Sequence, residues 1–400
     1  MKPGWQMRKL EEVCEKITDG SHFSPKTIGE GYPYITVRDI ENDQIDFQSC
    51  KKISSDDYEL LLKNGCKPNL GDLLFSKDGT VGKVSLVDFE KDFVVLSSLA
   101  IIRPHADRID SSFLKYILKS PAFLGEAIGK KTGAAIRRIV LKNLKPINIP
   151  VPPLSEQKRI VAILDEAFEN IAIAKANAEK NLQNARELFE SYLNEVFSRE
   201  NKGWSEKSLG ELGTITSSKR IFKSEYVEAG IPFYRTKEVK ELANGRTITT
   251  ELFISEARYN EIKTNFGVPS EGDILLTAIG TIGEIYVVKG DDDFYFKDGN
   301  VLWLKNFDSI KPHFLKYALI SFVESLNNLA RGSTYNALPI QKLNAHRIFV
   351  PSLIEQEAIT SQLDLLRLET QRLEFICQQK LASLEALKKS LLHRAFSGEL

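Results

Sequence analysis

VPPLSEQKRIVAILDEA begins at Val151, and VPSLIEQEAITSQLDLL begins at Val350. The two stretches lie 199 residues apart (350 − 151), and 8 of 17 positions are identical: Val151/Val350, Pro152/Pro351, Leu154/Leu353, Glu156/Glu355, Gln157/Gln356, Ile160/Ile359, Leu164/Leu363 and Asp165/Asp364. A 400-residue chain that repeats a phrase at half its own length reads as two copies of one design. Proline cannot lie inside the helix that follows, Ser155 suits its N-cap, and Glu156 suits the positive end of its dipole. From there to Phe197 the chain has no Gly or Pro. Apolar or small residues recur at Ile160, Leu164, Ala167, Ile171, Ala174, Ala178, Leu182, Ala185, Leu188, Tyr192 and Val196, in the steps of three and four that mark one helical stripe. The same stripe returns 199 residues later, from Ile359 and Leu363 through Cys377 to Leu391 and Ala395. Two helices of about 38 residues, about 57 Å each, are predicted. The first stripe is rich in Ala and the second in late Leu, so antiparallel pairing would set small residues against large ones.

The repeat reaches well beyond this phrase. Gly4-Trp5 before Leu10 returns as Gly203-Trp204 before Leu209, GDLLFSKDGTVGKV from Gly71 as GDILLTAIGTIGEI from Gly272, and Phe113–Tyr116 as Phe314–Tyr317. Short apolar runs such as Tyr34–Val37, Asp72–Phe75, Lys83–Val87 and Val94–Ile102 read as strands, with Ser112–Lys119 and Pro312–Phe322 as short helices. The predicted fold is α+β: two pseudo-repeated mixed globules, with mainly antiparallel sheet, separated by two long antiparallel coiled-coil helices under approximate two-fold symmetry. The boundaries are a first globule at 1–153, a helix at 154–198, a second globule at 199–352 and a helix at 353–400. Thr18–Cys66 and Ser217–Thr264 barely resemble each other, so one scaffold is expected to present two different contact surfaces.

Composition narrows the function. Lys+Arg and Asp+Glu are both 54, so overall charge gives no support to a nucleic-acid partner and a basic surface must be local. Cys14, Cys50, Cys66 and Cys377 form no CxxC pair, which disfavours zinc and disulfides. With no apolar signal core and no run near the ~20 residues that span a bilayer, the cytoplasm is the expected compartment and no membrane partner is expected. No Asn-Pro-Pro-aromatic methyltransferase segment is present, GEAIGKKT from Gly125 has the wrong spacing for a phosphate loop, and the five histidines form no HExxH pairing. The chain is expected to be non-catalytic and to bind no cofactor or metal.

Local charge points to DNA. Ala127–Ser155 contains no acid but carries Lys130, Lys131, Arg137, Arg138, Lys142 and Lys145; the acid-free Ser325–Ile354 carries Arg331, Lys342, His346 and Arg347. Thr334, Tyr335 and Asn336 lie in the second of these windows. The turns SKDGTVGK and TAIGTIGE suit tight hairpins that bring Lys77, Asp78, Thr80 and Lys83, or Thr277 and Thr281, toward a groove. Divergent loops add Ser21, His22 and Arg38 in the first copy, with Lys219, Arg220, Arg235 and Lys237 as counterparts.

The chain resembles a specificity subunit of a type I restriction–modification system. The resemblance rests on TDGSH at Thr18–His22, the paired GDLLFSKDGTVG and GDILLTAIGTIG, the junctions IPVPPLSEQKRI and IFVPSLIEQEAI, and AFSGEL from Ala395. It implies two target-recognition domains, each reading half of a split double-stranded DNA sequence, and helices that space them and dock two methylation subunits, and through these the restriction subunits. It also implies that S-adenosylmethionine, ATP and magnesium belong to those partners and not to this chain. The alternative is a non-catalytic coiled-coil scaffold whose globules bind proteins.

Overall fold

A computed structural model describes residues 2–129, 139–198, 203–290, 293–329 and 337–400. The chain divides into two compact units, residues 1–179 with 378–400 and residues 180–377. Each unit thus holds one globule and part of both long helices.

In the first unit, strand Gln6–Lys9 pairs antiparallel with Asn148–Val151, so the globule's two ends meet where the first long helix begins. An antiparallel sheet runs in the order Cys14–Asp19, Leu99–Pro104, Leu73–Ser76, Val84–Leu86. Alternate residues of its strands face opposite sides. Leu73, Phe75, Ala100 and Ile102 pack with Phe113, Leu114 and Ile117 of helix Ser111–Lys119, while Leu74, Leu99 and Ile101 pack with Ile35, Phe93 and Val95. Both faces are covered, which is why these strands read as unbroken apolar runs. The predicted strand Val94–Ile102 is two strands: a turn in which the Leu99 N–H donates to the Leu96 carbonyl carries the chain from one sheet to the next. That second sheet holds Tyr32–Ile35 between Lys51–Ile53, antiparallel, and Val94–Val95, parallel.

The second unit repeats this frame. Ser205–Ser208 pairs with Arg347–Val350, and Thr214–Ser217, Val301–Lys305, Ile274–Thr277 and Ile285–Val287 form the antiparallel sheet in that order. Ile231–Tyr234 lies between Phe253–Ile254, antiparallel, and Tyr295–Phe296, parallel. The region read as divergent therefore shares its architecture as well. Ser54 and Ser255 both cap a helix, Ser55–Lys63 and Glu256–Asn265, and Tyr58 and Tyr259 on those helices donate to Asp92 and Asp293 at 3.2 and 2.7 Å. The copies part between these elements. The first forms a hairpin, Ile40–Glu41 with Gln44–Ile45, over Asn42 and Asp43 at positive φ; the second forms helix Thr236–Ala243.

The long helices run Leu154–Ser198 and Leu353–Ser397, 45 residues each, more than the about 38 expected from the stripe alone. Ser155 lies inside the first helix instead of capping it. The capping box belongs to the second helix, where Ser352 and Glu355 bond each other's backbone N–H. Within each unit the helices pair antiparallel. In the first, Lys175 meets Glu385 at 3.5 Å, and Leu392 and Ala395 share a core with Ile160 and Leu164. In the second, Arg186 meets Glu374 at 3.0 Å, Tyr192 donates to Gln362 at 2.9 Å, and Leu193 packs with Leu363 and Tyr317. The predicted stripe drifts late in the first helix. Leu188 is 51% exposed, because the inward face steps by four from Ala185 to Phe189 and on to Leu193 where the predicted stripe stepped by three. Among the described residues no helix is long and apolar enough to cross a membrane.

Candidate nucleic-acid interface

Three loops of the first unit converge on the Leu96–Leu99 turn. The TDGSH segment leaves its strand at Asp19, and a Cβ on Gly20 would stand 2.3 Å from the Val95 carbonyl, so only glycine fits. The Ser21 N–H donates to the Val95 carbonyl at 2.8 Å, and the Ser97 N–H to the Ser21 carbonyl at 2.8 Å. The Lys77 N–H of the hairpin turn donates to the Ser98 carbonyl, and the Val37 N–H to Ser98 Oγ. His22, Arg38 and Thr80 are brought out on these three loops, all exposed.

Several expected contact residues serve the frame instead. Ser21 is buried; its hydroxyl donates to the Phe23 carbonyl and accepts the Phe23 N–H, shaping the turn. Lys77 was expected at an exposed tip but is 1% exposed, its Nζ 3.1 Å from Asp19 Oδ1. Asp78 is half-buried. Lys83 donates to the carbonyls of Val37 and Ile40, tying the hairpin to the neighbouring loop. Thr277, also buried, does in the second hairpin what Ser76 does in the first. Each hydroxyl donates across the turn to a carbonyl (Thr80, Thr281) and accepts the backbone N–H of Lys83 or Glu284. Gly82 and Gly283 close these turns at φ +96°, and an added Cβ would stand 2.7 Å from Leu124 or 2.5 Å from Val323, so both glycines are structural. Thr281, like Thr80, is exposed.

In the second unit the same loops carry other side chains. The Lys219 N–H donates to Tyr295 Oη at 2.6 Å, which leaves its ammonium exposed 4.9 Å from the centre of the Phe266 ring. Arg220 is exposed but paired with Asp298 at 2.7 Å. Arg38 corresponds structurally to Lys237, not Arg235: the next residues, Asp39 and Glu238, are buried carboxylates that accept the N–H of Thr36 and Arg235. Arg235 is held by Glu238 at 2.7 Å and Glu251 at 2.9 Å, so its charge is neutralised within the fold, and Glu251 also meets Lys237 at 3.2 Å. The basic windows are weaker than their composition. Arg347 pairs with Glu206 at 3.1 Å, and burial against Phe322 pushes the His346 imidazole down to about 4, leaving it neutral. Lys130, Lys131, Arg137, Arg138, Arg331, Thr334, Tyr335 and Asn336 lie outside the described residues.

Sequence reasoning overlooked one pair. Phe23 is 53% exposed beside His22, and Phe222, 199 residues later, is 61% exposed beside Arg220 and Lys219. The signal in the sequence is an aromatic that recurs at the repeat spacing of 199, Phe23 and Phe222. Among the described residues no group of His, Cys, Asp or Glu is arranged to hold a metal ion.

Comparison with known proteins agrees with this arrangement. Residues 2–184 and 201–385 each match the model of the type I restriction modification DNA specificity domain. The putative type I restriction enzyme specificity subunit S.HindORF215P of Haemophilus influenzae is 28% identical over 263 residues, 64% of this chain and 64% of that one. The putative MjaX specificity subunit of Methanocaldococcus jannaschii is 22% identical across 99% of this chain and 93% of its own, and the EcoKI specificity subunit of Escherichia coli 22% identical across 99% and 89%. In fold the chain is similar to one solved under complex assembly and conformational transition of the type I R-M system, with a TM-score of 0.78 at 21% identity over 100% of this chain and 99% of that one. It is also similar to the HsdS subunit from Thermoanaerobacter tengcongensis, with a TM-score of 0.61 at 20% identity over 100% and 98%. The chain belongs to the type I restriction modification DNA specificity family: it is a specificity subunit with two copies of the DNA specificity domain, an organisation that matches a target read in two parts.

Proposed function

We propose that this chain performs no chemistry itself and directs partner subunits to DNA. Each unit's converging loops read one half-site of double-stranded DNA, and the paired long helices set the unread spacer and dock two methylation subunits, which in turn recruit restriction subunits. S-adenosylmethionine, ATP and magnesium belong in this reading to those partners. The observation that carries it is a shared frame, with Phe23 and Thr80 in one copy and Phe222 and Thr281 in the other, that presents different charged side chains at its loop tips: His22 and Arg38 in the first, Lys219 and Lys237 in the second. Phosphate contacts position a protein on DNA, whereas loop side chains at base edges specify the sequence. Spacing between modules then translates into spacing between half-sites.

Exchange of residues 1–150 for those of another specificity subunit tests this. Sequencing of modified bases in cells carrying the exchanged chain should show one half-site altered, with the other half-site and the spacer kept. Alteration of both half-sites would overturn the assignment of one half-site to each domain. DNA association indifferent to salt would argue for a protein-binding scaffold.

A further inference from the structure

Two attachments recur, residue for residue, in both units. Gln157 is fully buried in the first turn of the first long helix. Its Nε2 donates to the carbonyls of Arg108 at 3.0 Å and Pro152 at 2.8 Å, and its Oε1 accepts the Asp110 N–H at 2.8 Å. Gln356 is equally buried, donating to Ser309 and Pro351 at 3.2 and 3.0 Å and accepting the Lys311 N–H at 2.7 Å. Each amide thus ties its long helix to the loop that opens a helix of the globule, Ser111–Lys119 or Pro312–Leu329. Eight residues further along the long helix, about 12 Å at 1.5 Å per residue, lies a second tie. Tyr116 Oη donates to Asp165, and Tyr317 Oη donates to Asp364 at 2.5 Å.

We infer that Tyr116 with Asp165, and Tyr317 with Asp364, are positioning residues: together with the buried glutamines they fix the angle of each globule on its long helix, and so decide which spacer length the complex accepts. This rests on the reading of a split target proposed above. One tie leaves a packed helix free to pivot, while two ties two turns apart remove that freedom. The loops that would touch DNA differ between units, yet these four attachments match in residue type and partner, as a shared requirement of angle demands. Burial, reinforced by the neighbouring carboxylate, pushes both phenols well above their ordinary range, so they remain protonated donors at any working pH. Asp165 and Asp364 are themselves exposed. Loss of the phenol therefore returns each carboxylate to water, and phenylalanine preserves the contact of ring 116 with Phe168.

The test uses the complex reconstituted with its methylation partners and duplexes carrying both half-sites mapped in cells. Methylation rates are compared for the native spacer and for spacers one base pair longer and shorter. The double variant Tyr116→Phe/Tyr317→Phe should lose about tenfold in discrimination against the altered spacers, the scale of one hydrogen bond to a charged group, while the native-spacer rate stays close to wild type. Asp165→Asn/Asp364→Asn keeps an acceptor for each phenol and should retain discrimination. Unchanged discrimination in the tyrosine variant, or equal loss in the asparagine variant, overturns the inference. A seven-residue insertion into Lys175–Leu188 and the matching stretch of the second helix separates this from the underlying reading. If the insertion shifts the preferred spacer while the tyrosine variant changes nothing, only the latch fails. If wild type shows no spacer preference, the reading fails too.

Discussion

The two units solve one problem with opposite use of charge. Beneath the reading loops, the first buries Lys77 against Asp19; at the same places in the paired strands the second has Ala278 and Ser217, whose hydroxyl donates to the Val301 carbonyl at 3.3 Å and accepts the Gly299 N–H at 2.9 Å. On the helix that closes against the glycine turns the roles reverse: Leu124 meets Gly82 and Val323 meets Gly283, so the residue that follows is Gly125 in the first unit and Glu324 in the second. The backbone frame is the same in both cases. Sheet alternation, neutral amide and hydroxyl bonds and tight glycine turns define that frame, and charges are placed within it as each copy requires.

The largest break in this comparison is expected at Lys77. Lys77→Ala removes the buried partner of Asp19, whose carboxylate keeps 23% exposure and His22 at 3.4 Å, so the cost lies at or below about 3 kcal/mol, that of breaking a fully buried pair. Hydrogen exchange should accelerate in Leu73–Ser76 and Leu99–Pro104 and remain at the wild-type rate in Ile274–Thr277. The reverse change, Ala278→Lys, places an ammonium where the second unit offers Ser217 and no carboxylate, and should destabilise that unit by a similar amount. If Lys77→Ala left exchange unaltered, the pair would be a bystander and the asymmetry between units trivial.

A smaller effect should separate binding from stability. Phe23 and Phe222 are exposed, so their truncation removes little buried area and should leave melting temperatures unchanged. An aromatic ring that stacks on or wedges beside a base contributes about 1–3 kcal/mol. Phe23→Ala and Phe222→Ala should each weaken binding to duplex DNA by tenfold or more, measured at one fixed salt concentration. Each variant should also lose selectivity at a different half-site. Loss at the same half-site for both would break the correspondence of units to half-sites.

The frame was legible because it is written in periods: three-and-four steps for the helices, apolar runs for doubly covered strands, glycines where a Cβ has no room. The shared helix with Tyr58 and Tyr259 was equally legible, through Ile53-Ser54 and Ile254-Ser255, but its offset of 201 instead of 199 hid it beside the loop insertions. Individual charges were not legible. A lysine next to a glycine turn is exposed by default, and the partner that buries Lys77 lies 58 residues earlier in the chain (77 − 19). Arg235 looked available because Glu251 is 16 residues away (251 − 235), beyond the helix Thr236–Ala243 and the loop that follows it. Phe23 was legible only as a ring that recurs at Phe222, because its exposure depends on how the loop folds.

The finest contrast between the units is one of protonation. Glu324 lines a cleft of about 300 Å³ with Glu190, Glu374, Lys316, Arg186 and Arg367, and its Oε2 has no hydrogen-bond partner among the described residues. Burial, then repulsion from Glu190, pushes its carboxyl up to about 7 despite Arg367. Between the ordinary carboxylate value and 7 the folded unit holds a proton that the unfolded chain has already released. Unfolding therefore releases a proton in that window, and stability falls as pH rises from about 4.5 to about 7 before levelling off. Glu324→Gln removes the titration. Its melting temperature should lie close to wild type at pH 5 and above it at pH 8, by a few degrees at most because the side chain is only partly buried. Phe123→Leu in the first unit, where Phe123 packs edge-on against Phe75, should show an offset that does not change with pH, as expected for packing alone. Parallel pH profiles for Glu324→Gln and wild type would mean that the cleft carboxyl is ionised in the folded protein, and that the two units differ there in shape and not in charge.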